Sequence, residues 1–200
     1  HIALAARNAG AQSLLVAAPP YSLPSEAELA AHVLKIEAAT GLAIMLYNYP
    51  GRTGVAMGEE FLDLVADNDN VAGIKESSGD VNRIHLLANN YPQIELVAGA
   101  EDQVLEFFVW GARSWVCASG NMFPAECVKF LDLVANQGDF ERGKRIMAAF
   151  SPLMHALEQG GKFIQSIKFA SQLQGISAGI VRPPMMPLSA ELELELTDRK

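Results

Sequence analysis

Val71-Ala72-Gly73-Ile74-Lys75-Glu76-Ser77 reads as an apolar strand that ends on a lysine. An ammonium group is rarely fully buried without a partner. Desolvation at a strand end lowers the lysine pKa toward the neutral amine, the form that attacks carbonyl carbon. An ordinary lysine, with a pKa of about 10.4, is neutral in roughly one molecule in 2,500 at pH 7. A drop of about three units costs about 4 kcal/mol and makes about half of the molecules nucleophilic. Lys75 is therefore a candidate Schiff-base residue, its rival reading being a solvated strand-end lysine.

Upstream, Leu42 to Leu46 form a second apolar strand that runs into Tyr47-Asn48-Tyr49-Pro50-Gly51-Arg52-Thr53-Gly54. Pro50 and Gly51 stop that strand with turn chemistry. Tyr47 then stands at the end of one strand and Lys75 at the end of the next, one strand-helix-strand repeat later. In a parallel sheet both side chains reach one pocket.

The same alternation extends along the chain. Apolar strands are expected at Ser13 to Ala17, Ala43 to Tyr47, Val71 to Lys75, Glu95 to Gly99 and Ser114 to Ala118. Helical periodicity follows each, over Ser25 to Ala39, Gly58 to Ala66, Asp80 to Asn89, Glu101 to Trp110 and Pro124 to Ala135. Ser25 ahead of Glu28 forms a capping-box pattern, and Gly41 is placed to stop the same helix. Alternating strands and helices mean a parallel sheet with right-handed crossovers. An open doubly wound sheet and an eight-fold barrel both fit that pattern.

His1 to Ala9 reads as the end of a helix stopped by Gly10, so a longer protein is expected upstream. A closed barrel takes about 250 residues, and three further strand-helix units would bring the count to eight. Residues 1–136 are read as five strand-helix units and 137–200 as a helical extension. That extension includes helices at Phe140 to Leu157 and Lys162 to Gln174, split by Gly160 and Gly161. Pro183, Pro184 and Pro187 interrupt regular structure. The Glu and Leu alternation of Ser189 to Leu196 is left without an assignment.

Composition excludes several functions. Half of the 200 residues are hydrophobic and 19% are charged, which suits a folded core. The formal charge is −8, with 15 basic against 23 acidic residues and no basic cluster, so no nucleic-acid partner is expected. No apolar run approaches the roughly 20 residues of a membrane span, so none is expected there either. Cys117 and Cys127 lack zinc or redox spacing and read as free thiols of a reducing cytoplasm. His1, His32, His85 and His155 are scattered, and no metal site is expected.

The segments YNYPGRTG, Tyr47 to Gly54, and GIKESSGD, Gly73 to Asp80, together resemble the dihydrodipicolinate synthase and N-acetylneuraminate lyase family of class I aldolases. The resemblance runs from APPYSLPS, Ala18 to Ser25, to the helices after the last strand. It implies an α/β fold, a (β/α)8 TIM barrel with extra carboxyl-terminal helices, whose first three βα units are absent from this chain. It implies that Lys75 forms a Schiff base with pyruvate or another 2-keto acid, without a separate cofactor, while Tyr47 relays protons as general acid and base. Tyr21 matches a relay tyrosine inserted from a neighbouring subunit, which implies a homo-oligomer, a dimer or tetramer. Arg52 matches an arginine that holds a substrate carboxylate, and Cys117 falls where the family offers a backbone carbonyl to the keto acid.

The leading expectation is a lyase of lysine biosynthesis that condenses pyruvate with aspartate semialdehyde, of the 4-hydroxy-tetrahydrodipicolinate synthase type. The alternatives are an aldolase, dehydratase or deaminase of another 2-keto acid such as a keto-deoxy sugar acid, or a non-catalytic metabolite-binding paralogue. Departures from the synthase pattern bear on the choice. Synthases carry two adjacent tyrosines where this chain has Pro20 and Tyr21, which argues against lysine feedback. Ala100 stands at a position that is commonly glycine. The segment Ala118 to Asn121 looks more like the sugar-acid branches.

Overall fold

A computed structural model describes residues 1–198. Five strands form one parallel sheet, β1 Ser13–Ala17, β2 Ala43–Asn48, β3 Val71–Glu76, β4 Glu95–Ala98 and β5 Ser114–Trp115, in the spatial order of the sequence. That order decides between the two architectures the sequence left open. A doubly wound sheet reverses its strand order at a switch point, whereas a singly wound barrel adds each new strand beside the last. The chain is an α/β fold of the barrel type, with further helices after the last strand-helix unit.

The helices are α1 Ile2–Asn8, α2 Glu26–Thr40, α3 Pro50–Thr53, α4 Glu59–Val65, α5 Val81–Asn90, α6 Val104–Val109, α7 Pro124–Leu131, α8 Phe140–Gln159, α9 Phe163–Leu173 and α10 Ala190–Asp198. Local chemistry sets their ends. Ser25 caps α2 in a true capping box: its backbone N–H donates to Glu28 Oε2 at 2.8 Å while Glu28 N–H donates to Ser25 Oγ at 3.3 Å. Gly41 ends α2 at φ 62°, a left-handed conformation that costs glycine least. Asp80 caps α5 by accepting from Asn82 N–H at 2.9 Å.

The chain divides into two compact units. The first comprises His1–Ala100 with Trp110–Val116, and the second Glu101–Val109 with the chain from Cys117 onward. In the first, Leu29 and Val33 of α2, Phe61 of α4, Ile84 of α5, and Ile44 and Ile74 of the sheet are all buried. Each such side chain contributes about 1.5–3 kcal/mol by leaving water. In the second, Phe107, Phe130, Met154 and Leu157 are buried, and Phe108 meets Phe130 edge-on with ring centroids 5.9 Å apart.

Several expected boundaries shift. Strand β5 stops at Trp115 rather than Ala118: Val116 N–H still reaches Ala98 O at 3.0 Å, but the N–H groups of Ala118 and Ser119 turn to the Glu101 carboxylate at 2.6 and 3.2 Å. The helix expected through Ala135 leaves α geometry at Leu131 and continues as a π turn over Asp132–Asn136. Asp132 accepts from the side chains of Asn136 and Gln137 there, at 3.0 and 2.7 Å. A 3₁₀ turn, Glu101–Gln103, precedes α6. The unassigned Glu and Leu alternation is helical: Ser189 Oγ accepts from Leu192 N–H at 3.3 Å, Leu196 is buried four residues on, and Leu194 faces solvent.

Gly99 closes the sheet tightly after β4. A Cβ there would lie 2.5 Å from the Glu76 carbonyl oxygen and closer still to Ser77 Oγ. Because a backbone atom is in the way, Gly99→Ala should force β3 and β4 apart and destabilise the fold by about 1–3 kcal/mol. Urea denaturation checks this, and an unchanged midpoint would show that the strand ends yield freely.

Candidate active site

Strands β2 and β3 are paired so that Tyr47 lies directly beside Lys75, with Ala17 and Val97 in the same row on the outer strands. Alternate residues of a strand face opposite sides. Ile44, Leu46 and Asn48 are buried, while Met45 and Tyr47 stay half-buried on the other face. Lys75, likewise half-buried, shares that second face, and its Nζ sits 4.2 Å from the centroid of the Tyr47 ring.

Arg52 joins the same constellation through aromatic contacts. The Tyr49 ring lies 5.9 Å from that of Tyr47, and the Arg52 guanidinium carbon lies 5.8 Å from the Tyr49 centroid. Arg52 is carried by the single turn of α3, which Pro50 starts and Gly54 ends at φ 76°. Its head is exposed, free to meet an anion from solvent. Lys75, Tyr47, Tyr49 and Arg52 thus form one continuous row: an amine, two phenols and a guanidinium.

Tyr21 stands elsewhere, 99% exposed in the loop after β1 at φ 75°. A non-glycine residue in that region costs about 1–3 kcal/mol. Leu23 beside it is also left-handed, at φ 45°. Cys117 belongs to the second unit. Its Sγ accepts from Gly120 N–H at 3.1 Å. The hydrogen bond with Cys127, then burial and the nearby Glu101 carboxylate, push the Cys117 thiol up and keep it protonated.

One group of residues escaped the sequence reading. Asn48 and Glu76, the register partners just beyond Tyr47 and Lys75, are each 1% exposed. Asn48 Nδ2 donates to Glu76 Oε2 at 2.8 Å, and Arg83 Nε approaches the same oxygen at 3.4 Å. The available signal was a carboxylate and an amide placed identically after two paired strands.

The profile of the Dihydrodipicolinate synthetase family matches residues 1–199. The chain belongs to that family. The 4-hydroxy-tetrahydrodipicolinate synthase of Exiguobacterium sibiricum is 34% identical over 179 residues, covering 88% of this chain and 60% of the relative. That of another Exiguobacterium species is 30% identical over 188 residues, covering 94% of this chain and 64% of the relative. The solved 4-hydroxy-tetrahydrodipicolinate synthase of Methylacidiphilum fumariolicum SolV superposes with a TM-score of 0.91 at 29% identity, covering 100% of this chain and 66% of the other. The chain therefore spans less than two thirds of these family members. No described helix is long and apolar enough to cross a membrane.

Proposed function

We infer that this member of the family serves a lyase that condenses pyruvate with aspartate semialdehyde, 4-hydroxy-tetrahydrodipicolinate synthase chemistry. The observation that carries the reading is the Lys75 amine 4.2 Å from the Tyr47 ring at paired strand ends. In this reading the neutral amine of Lys75 adds to C2 of pyruvate, and loss of water gives the imine. Removal of a C3 proton then yields an enamine, whose carbon attacks the aldehyde of the second substrate. Tyr47 serves as the acid and base that carries protons to and from these intermediates. The covalent chemistry belongs to Lys75, and no separate cofactor is called on. For Cys117 the family resemblance implies a backbone carbonyl offered to the keto acid, with no part for its thiol.

Arg52 favours aspartate semialdehyde as partner, because its exposed fork suits the carboxylate of an incoming second substrate. The names of the curated relatives point the same way. The segment Ala118 to Asn121, which by sequence leans toward sugar acids, has two side-chain groups hydrogen-bonded within the chain. Ser119 Oγ donates to the buried Glu101 carboxylate, and Asn121 Nδ2 donates to Ala118 O at 2.9 Å. Tyr21, exposed and held in a left-handed turn, is disposed to enter a second copy of the chain, as a homo-oligomer would require.

The direct test incubates the full-length protein with pyruvate and borohydride, then assays aspartate semialdehyde against keto-deoxy sugar acids. A trapped adduct with turnover of the semialdehyde supports the reading. An adduct with turnover of sugar acids alone moves it to the other 2-keto acids, and no adduct refutes it. Charge-assisted hydrogen bonds are worth about 1.5–3 kcal/mol. Arg52→Ala is accordingly expected to raise KM for aspartate semialdehyde by roughly 10- to 150-fold while leaving that for pyruvate within about twofold. Equal effects on the two would remove Arg52 from second-substrate binding.

A further inference from the structure

We propose that Asn48, Glu76 and Arg83 form a positioning clamp that selects the register of β2 against β3 and so holds Tyr47 against Lys75. The clamp works from the face of the sheet opposite the reacting groups, and its catalytic meaning rests on the Schiff-base reading above. Its hydrogen bonds close a ring. Asn48 Nδ2 donates to Glu76 Oε2 at 2.8 Å, and Asn48 Oδ1 accepts from Met57 N–H at 3.0 Å. Arg83 Nε approaches Glu76 Oε2 at 3.4 Å, and Arg83 Nη2 donates to Met57 O at 2.6 Å. Glu76 Oε1 accepts from Ser78 N–H at 2.7 Å.

The need for a clamp lies in the sheet itself. Ile44 pairs with Val71, but Met45 pairs with Gly73, so Ala72 is an extra residue in β3. Continuing the first pairing without this bulge would set Tyr47 beside Ile74 and turn Lys75 toward the other face, since a one-residue slip flips every side chain. Ile44 to Leu46 and Val71 to Ile74 carry no polar side chain, so no side-chain hydrogen bond before the strand ends selects between these registers. The Asn48 amide and the Glu76 carboxylate meet only in the bulged one. A buried ion pair is weak evidence for stability and is best attested as a device of register. The side chains of Arg83 and Glu76 are 15% and 2% exposed.

The test uses the full-length protein and the variants Asn48→Ala, Glu76→Ala and Glu76→Gln. Misplacing a catalytic group by about 1 Å costs on the order of 10²-fold. Asn48→Ala and Glu76→Ala should therefore lower kcat by roughly 10- to 100-fold, with KM for pyruvate changed less than about threefold. Glu76→Gln, whose single amide oxygen replaces Oε2 toward Asn48 and Arg83 while its NH2 is set against Ser78 N–H, should recover part of kcat. Lys75 acetylation by acetic anhydride, followed against pH, supplies a readout that needs no turnover. Its midpoint should move by at least about half a unit in both alanine variants. If Glu76→Ala does not fold, Asn48→Ala carries the test without removing a charge. A folded Asn48→Ala with wild-type kcat and acetylation profile, even with a lowered Tm, would reduce the network to a structural role and overturn the proposal. If wild-type protein traps no pyruvate, the Schiff-base reading falls, and the acetylation profile still decides the clamp.

Discussion

Lys75→Ala is expected to abolish turnover and pyruvate capture together. In a Schiff-base mechanism the amine is the atom that becomes bonded to substrate, so no neighbouring group can take over its role. The loss should reach background, on the order of 10⁶-fold or more, the low end of enzymatic acceleration. The fold should survive, because Lys75 is half-buried and its truncation leaves the strand ladder with Tyr47 and Val97 intact. Lys168 is the informative control. Its Nζ donates to Ala178 O at 2.5 Å, so it is committed to holding backbone. Mass spectrometry after borohydride reduction should place the pyruvate adduct on Lys75 in the wild type and nowhere in the variant. An adduct on Lys168, or undiminished turnover in Lys75→Ala, would refute the assignment.

Tyr47→Phe should separate positioning from proton transfer. The phenylalanine ring keeps the aromatic face over which the Lys75 amine sits and keeps the contact with Tyr49. What disappears is the hydroxyl. Proton transfer by a positioned group is worth about 10² to 10⁴ in rate, so kcat should fall by at least about 10²-fold. The trapped adduct on Lys75 should still form, more slowly. Steady-state kinetics and borohydride trapping on the same preparation check both halves. Turnover equal to wild type would leave Tyr47 as a packing residue only.

The outcome of these experiments depends on features that differ in how far they can be read from sequence. The alternation of strands and helices, the Ser25 capping box, the Gly41 stop and the strand-end positions of Tyr47 and Lys75 are written in residues close together in the chain. Periodicity and capping act over one to four residues, so a sequence displays them directly. Even there, local signals fail where a distant partner competes. The Glu101 carboxylate captures the N–H groups that would have extended β5, and two amide side chains gather on Asp132 at the π turn after α7.

The alternating segment before the end of the described chain shows the same competition in reverse. Its alternation carries no assignment by sequence, yet Ser189 caps a helix there that packs on α9 and buries Leu196. Burial on a neighbouring helix outweighed the local pattern.

By itself the sequence determined the five strands and the helices that follow them, their order along the chain and the two residues that meet at the strand ends, together with family membership through the motifs that flank them. Only the tertiary structure decided that the sheet is singly wound, since strand order is a relation among segments that no single segment encodes. It alone revealed the extra residue at Ala72 that shifts β3 into register and the buried ring of Asn48, Glu76, Arg83 and Met57. It also set Arg52 against Tyr49 and left Tyr21 exposed. The physical reason is one of range: secondary structure follows from neighbours along the chain, whereas register and buried polar pairing are settled by groups that only folding brings within hydrogen-bonding distance.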